Sequence, residues 1–170
     1  ELNFAGISNQ NKEIAVSFAR KFSEFDDEEL ENFLIEKVKT ETDNTVIACA
    51  LRGLQNALSE RPEFADFAVE CAKNDDPVVR YWAASALGFF RLEDNEKYVD
   101  ALITLIGDSD ADVVEIACKE IGGLGNEKAV AALETILADE SLVDVHGPAT
   151  ESLEDLWMNF PFYDGTSEAA

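Results

Sequence analysis

Few residues in this sequence have the type and spacing to do chemistry, and each has a plain structural alternative. Asp108-x-Asp110-x-Asp112 has the spacing with which a calcium loop begins. An EF-hand needs Gly at its sixth position and Glu at its twelfth; this sequence has Val113 and Lys119 there. Acids ahead of an apolar run also turn the chain and cap a helix, and that is the expectation here. His146 is the single histidine, and Cys49, Cys71 and Cys118 are far apart, so no zinc-ligand spacing exists. Cys118 with His146 would make a nucleophile and its base, but Cys118 falls where Ala84 stands in a neighbouring repeat, so core packing is expected. Gly122-Gly123-Leu124-Gly125 is followed by no Lys-Ser or Lys-Thr and preceded by no strand pattern, so it reads as a helix end and tight turn, not a phosphate loop. No catalytic residue, cofactor or metal is expected.

The charge narrows the partners. The 170 residues carry 36 Asp plus Glu against 13 Lys plus Arg, a formal net charge of −23. Spread over the roughly 8,000 Å² that a folded chain of this mass exposes, that charge repels phosphate backbones and anionic membranes. It attracts basic proteins and speeds their arrival at low salt. The chain is not composed like a disordered one: 46% of it is hydrophobic, with 11 Phe. One domain over 1–170 is expected. Three cysteines, an odd number with apolar neighbours, imply buried thiols in a reducing compartment. With no apolar run of transmembrane length and no visible signal peptide, the expectation is a cytoplasmic protein.

These residues are placed by an internal repeat. Shifted forward by 34 positions, the segment Asp76 to Gly88 brings Asp76 onto Asp110, Val79 onto Val113, Trp82 onto Ile116, Ala83 onto Ala117, Ala84 onto Cys118, Leu87 onto Ile121 and Gly88 onto Gly122. Shifted back by 33, it brings Asp76 onto Asp43, Val79 onto Val46, Trp82 onto Cys49, Ala83 onto Ala50 and Leu87 onto Leu54. A weaker copy has Val145, Ala149 and Leu153 in the Val79, Ala83 and Leu87 places. Those three stand at i, i+4 and i+8, one face of a helix, and the small middle residue lets another helix approach closely. Asp76 is placed to cap and Pro77 to take the first helical position. A second helix follows each of the first three copies. Tyr98, Leu102 and Leu105 match Ala129, Leu133 and Ile136, with Phe64, Ala68 and Cys71 in the earlier copy. Pro62 opens that earlier helix, and Asp94 and Asn126 are caps for the others. Two further helices are expected at about 10–22 and 27–38, the second with an acidic start from Glu24 to Glu31. Helix pairs at periods of 31–34 residues predict an all-α fold, an α-solenoid of about four pairs (10–39, 43–73, 76–107 and 110–138) closed by a helix and aromatic tail over 144–170.

Asp76-Pro77-x-Val79-Arg80-x-x-Ala83-Ala84-x-Ala86-Leu87-Gly88 resembles the consensus of HEAT-like repeats of the phycobilisome-lyase type, and Asp108 to Val113 resembles the turn between such repeats. The usual ladder of arginines is missing, since the Arg80 position holds Ile47 and Val114 in the flanking copies. HEAT-repeat hydroxylases that bind two irons use repeated His-Glu pairs, and HEAT-like DNA glycosylases use a basic concave surface; neither feature occurs here. The resemblance implies that the second helix of each pair lines a concave face. Removing the apolar positions there leaves Glu63, Asp66 and Glu70, then Glu96 and Asp100, then Glu127 and Glu134, as candidate partner-binding residues, diluted by Lys73, Lys97 and Lys128. Trp82, aligned with Ile116 and Cys49, is expected in the core; Tyr81, aligned with Ala48 and Glu115, is expected outside it. Trp157, Phe160, Phe162 and Tyr163 around Pro161 are expected to cover the last repeat.

The implied function is a non-catalytic module that binds a basic protein partner. Small bacterial proteins of such repeats include cytoplasmic immunity proteins that neutralise toxins, often nucleases with basic surfaces, and an acidic inhibitor of that kind fits the charge and size. Two other readings follow from the resemblance: a protein that attaches or detaches bilin chromophores, and a scaffold piece of a larger assembly.

Overall fold

The computed structural model describes residues 39–54, 62–90 and 96–159. Seven α-helices lie within them: α1 (Asn44–Leu54), α2 (Pro62–Cys71), α3 (Pro77–Leu87), α4 (Glu96–Ile106), α5 (Ala111–Gly122), α6 (Glu127–Ala138) and α7 (His146–Asn159). A 3₁₀ segment at Glu140–Val145 precedes the last of them, and no strand occurs among the described residues. The helices expected at 10–22 and 27–38, the Asp94 cap and the tail from Phe160 lie outside the described residues.

Helix starts follow the capping residues. The Thr45 N–H donates to Asp43 Oδ1 at 2.9 Å, and the Val78 N–H to Asp76 Oδ1 at 2.9 Å, with Pro77 at the first helical position. Asp110 accepts from the N–H groups of Asp112 at 3.1 Å and Val113 at 3.3 Å, and Asn126 from that of Lys128 at 3.0 Å. Each bond satisfies an N–H that the helix cannot pair internally. At the other end of α5 the chain leaves through Gly123 and then Gly125, whose φ of 63° is left-handed backbone open to glycine.

The helices form two layers. The first helices stack on one another, α1 on α3, α3 on α5 and α5 on α7. Each second helix wedges against the first helix of the following pair (α2 on α3, α4 on α5, α6 on α7), more extensively than α4 and α6 pack on their own partners. Second helices touch each other sparsely. In α3 and α5 the predicted rows fill the core, with Val79, Ala83 and Leu87, and Val113, Ala117 and Ile121, fully buried, whereas Val46 of α1, expected in the same row, is half-buried. Each large side chain so removed from water stabilises the fold by roughly 1.5–3 kcal/mol. Phe64, Phe90 and Tyr98 continue the core, with ring centroids 6.5 and 5.7 Å apart, and join α2 to α4 past the end of α3.

Two repeat glycines set how closely the first helices approach. A methyl group on Gly122 would lie 2.8 Å from the Ser152 Cβ and 2.9 Å from its Cα, and one on Gly88 would meet the Glu120 side chain. Ser152, at that contact, donates from its hydroxyl to the Cys118 carbonyl across the helix pair. The row ends at α7. Where α5 presents buried Val114, Cys118 and Gly122, the corresponding places of α7 hold half-buried His146 and exposed Thr150 and Glu154. α7, the last helix among the described residues, thus presents a polar row where α5 presents an apolar one.

Candidate functional site

The second helices α2, α4 and α6 carry seven acids against two lysines. The side chain of Glu63 lies outside the described residues; Asp66, Glu70, Glu96, Asp100, Glu127 and Glu134 are all exposed. The structure brings lysines to four of these six. Lys97 Nζ pairs with Asp66 across the α2–α4 boundary. Lys128 Nζ lies 3.2 Å from Asp100 Oδ1 and 3.6 Å from Glu96 Oε2 across the α4–α6 boundary. Lys73 closes on Glu70 at 2.9 Å within its own turn. Glu127 and Glu134 make no ion pair among the described residues.

The two boundary pairs are equivalent, because Lys97 and Lys128 hold the same repeat position, as do Asp66 and Asp100. They are rungs that tie successive second helices, which touch each other sparsely. Asp66 and Asp100 each hold their lysine ammonium above its ordinary range through a direct hydrogen bond. All these partners are about half exposed or more, so water screens each rung and it ties the helices only weakly. Sequence reasoning found the acids and the diluting lysines but not the rungs. Their signal was present: Asp66 to Lys97 and Asp100 to Lys128 span 31 and 28 residues, about one repeat.

The strongest charge pair among the described residues is elsewhere and is structural. Arg80 Nε and Nη2 donate to the two carboxylate oxygens of Asp108 at 2.7 and 2.8 Å. Arg80 Nη1 donates to the carbonyls of Asn74 at 2.8 Å and Asp75 at 3.0 Å. The side chains are 14% and 7% exposed. Asp108 also accepts from the Asp110 N–H at 2.9 Å, and the Arg80 guanidinium holds its carboxyl below the usual aspartate range. Asp110 is thus a helix cap, as the turn reading of Asp108-x-Asp110-x-Asp112 expected, whereas the Asp108 clamp on Arg80 was not expected. Arg80 is a single rung joining two inter-repeat turns.

Cys118 is fully buried, and burial, with Glu115 nearby, pushes its thiol up to about 11. The corresponding effects at Cys71 are burial and Glu70, which push it to about 12. Such thiols pack as small apolar groups. The ring Nε2 of His146 lies 3.0 Å from the Asp139 carbonyl oxygen, at the start of α7.

A family model for HEAT repeats matches residues 65–154, more than half of the chain. The chain belongs to the HEAT repeats. A comparison with curated proteins finds no match.

Within this HEAT stack several expectations need correction. Cys49, expected to be buried, is half-buried. Trp82 is half-buried too and not in the core: the Arg52 guanidinium lies over its ring, 4.8 Å from the centroid. Tyr81 is half-buried and not exposed, its ring edge-on to Trp82 with centroids 5.1 Å apart. The reason is common to all three. They lie on the outer flank of the first-helix layer, where neighbouring side chains decide how much of each is covered. Between α3 and α5 on this flank is an open depression of about 340 Å³ lined by Tyr81, Asp112, Glu115, Ile116 and Lys119. Trp157, in the last turn of α7, is exposed. No helix among the described residues is long and apolar enough to cross a membrane.

Proposed function

We propose that this HEAT-repeat chain is a non-catalytic module for binding a basic protein, with the second-helix layer as its contact surface. The observation that carries the reading is the excess of seven acids over two lysines on three stacked helices in a chain of charge −23. A rigid stack presents those carboxylates without an ordering cost at the moment of binding, and the field of the whole chain raises the encounter rate. Within this class the reading is a toxin-neutralising immunity or inhibitor protein that covers the basic site of a nuclease-type enzyme. Charge and size support it by analogy with small proteins of such repeats.

The test reverses Glu70, Glu127 and Glu134 to Lys together. These acids support no boundary rung, whereas reversal of Asp66 or Asp100 would also break the stack's own pairs. Partners are captured from native lysate by the parent and the variant at low and moderate salt and identified by mass spectrometry. The expected result is a basic protein that the parent retains at low salt, that moderate salt releases, and that the variant binds at least about tenfold more weakly. If that protein has nuclease activity, adding the parent back should suppress it. Unchanged capture by the variant would overturn the reading.

A further inference from the structure

We propose that the depression between α3 and α5 is a second contact point for the partner, a socket that takes one arginine or lysine side chain from it. The proposal rests on the reading that the partner is basic, and adds a site on the opposite helix layer.

Nothing in the repeat calls for Tyr-Trp at positions 81 and 82. The preceding copy has Ala48-Cys49 there and the following copy Glu115-Ile116, and both stack normally. The aromatic pair nevertheless stands half open on the flank of the fold. Tyr and Trp with a neighbouring Arg are the residue types that concentrate binding energy at protein interfaces. Trp82 already shows what this surface takes, since Arg52 covers its ring at 4.8 Å. Tyr81 forms one wall of the depression, and on α5 Asp112 and Glu115, one turn apart, bring two carboxylates to it and Lys119 one ammonium. Glu115 is paired with Lys119, leaving Asp112 as the carboxylate with no ion pair among the described residues. A long cationic side chain entering there would lie along Tyr81 and Ile116 and bring its charge to Asp112. Ring and carboxylate act together on one cation, which neither group holds well alone.

The experiment uses the full chain with Trp157→Phe, which leaves Trp82 as its one tryptophan. A hexa-arginine amide is titrated at low salt while Trp82 emission is followed, with total binding measured by calorimetry. A saturable change in Trp82 emission is expected. Tyr81→Ala should weaken the response about tenfold, Tyr81→Phe should keep it within about threefold because the ring remains, and Asp112→Asn should weaken it several-fold. Reversal of Glu70, Glu127 and Glu134 should leave the Trp82 response in place. The socket is overturned if Trp82 does not respond while calorimetry shows binding, or if Tyr81→Ala and Asp112→Asn bind like the parent. Binding lost in the triple reversal alone sinks the socket and leaves the acidic layer standing. Binding lost in Tyr81→Ala alone supports the socket and counts against the layer, and a peptide that does not bind at all removes both.

Discussion

Removing Asp108 should cost far more than removing any other single carboxylate described here. In Asp108→Ala the Arg80 guanidinium loses both charge-assisted bonds, at 2.7 and 2.8 Å, and stays where its side chain is only 14% exposed. The Asp110 N–H loses its acceptor as well. Stranding one member of a buried ion pair costs about 3–5 kcal/mol. Arg80 keeps the carbonyls of Asn74 and Asp75 and some water, which places the cost near the lower end, at about 3 kcal/mol. In a chain of this length that is a fall in melting temperature of about 10 °C. The second arm is Arg80→Met. The flanking copies hold Ile47 and Val114, both buried, in the Arg80 position, so the repeat tolerates an apolar side chain there. The double variant leaves no charge stranded and should be no less stable than Asp108→Ala alone. Urea unfolding followed by far-UV circular dichroism measures all three.

The pH dependence follows from the same pair. Arg80 lowers the folded carboxyl below the ordinary aspartate value of 3.8, and Arg80 itself stays charged throughout. The stabilisation is therefore complete above that ordinary value and fades as pH falls through the lower, folded one. The gap between parent and Asp108→Ala should hold at neutral pH and close in strongly acidic solution. A loss under about 1 kcal/mol for Asp108→Ala would refute the argument, as would a double variant whose losses simply add.

Gly122→Ala forces a methyl group to within 2.8 Å of the Ser152 Cβ and 2.9 Å of its Cα. It should push α7 from α5 and cost about 1–3 kcal/mol, read as a lower thermal midpoint; an unchanged midpoint would show that this contact does not set the spacing. In the folded protein at mildly alkaline pH, iodoacetamide should modify half-buried Cys49 first. Cys71 and Cys118, held at about 12 and about 11, should react at least about a hundredfold more slowly until the chain unfolds. Peptide mass spectrometry gives the order, and early labelling of Cys118 would mean that its repeat position is not core.

What the sequence made legible is what depends on neighbours along the chain. Asp76 and Pro77 start a helix by bonding the turn that follows, and Val79, Ala83 and Leu87 share a face by helical periodicity alone. Positions across the repeat were legible where packing leaves one solution, as at Ala83 and Ala117. The rungs were not legible, since the reach from Asp66 to Lys97 depends on how far one second helix is offset from the next. That offset is set by wedging against the intervening first helix. Tyr81 and Trp82 failed for a related reason. The residues aligned with Tyr81 disagree, with Ala48 buried and Glu115 half-buried, while those aligned with Trp82, Cys49 and Ile116, are half-buried as it is; on the edge of a layer, burial depends on neighbours that periodicity does not show.

The charge of −23 divides by the work each acid does. Asp43, Asp76, Asp110 and Asp139 bond helix starts, and Asp108 clamps two turns. Each already commits a carboxylate oxygen to the fold, so a partner's cation competes with that bond. Asp66, Glu96 and Asp100 are committed more weakly, to lysines that are themselves about half exposed. An exposed pair is weak because water screens it, so a partner's guanidinium could take the lysine's place at small cost and gain a two-pronged bond that the ammonium cannot make. The rungs therefore screen the layer without closing it. On the proposed reading they would discriminate against a partner that offers only diffuse positive charge, which meets carboxylates already neutralised, and favour one whose arginines match the spacing of the repeat. If so, substituting Lys97 and Lys128 by Gln should raise affinity for basic proteins generally while narrowing the advantage of the true partner. A uniform gain that left this advantage unchanged would show that the lysines only lower the charge.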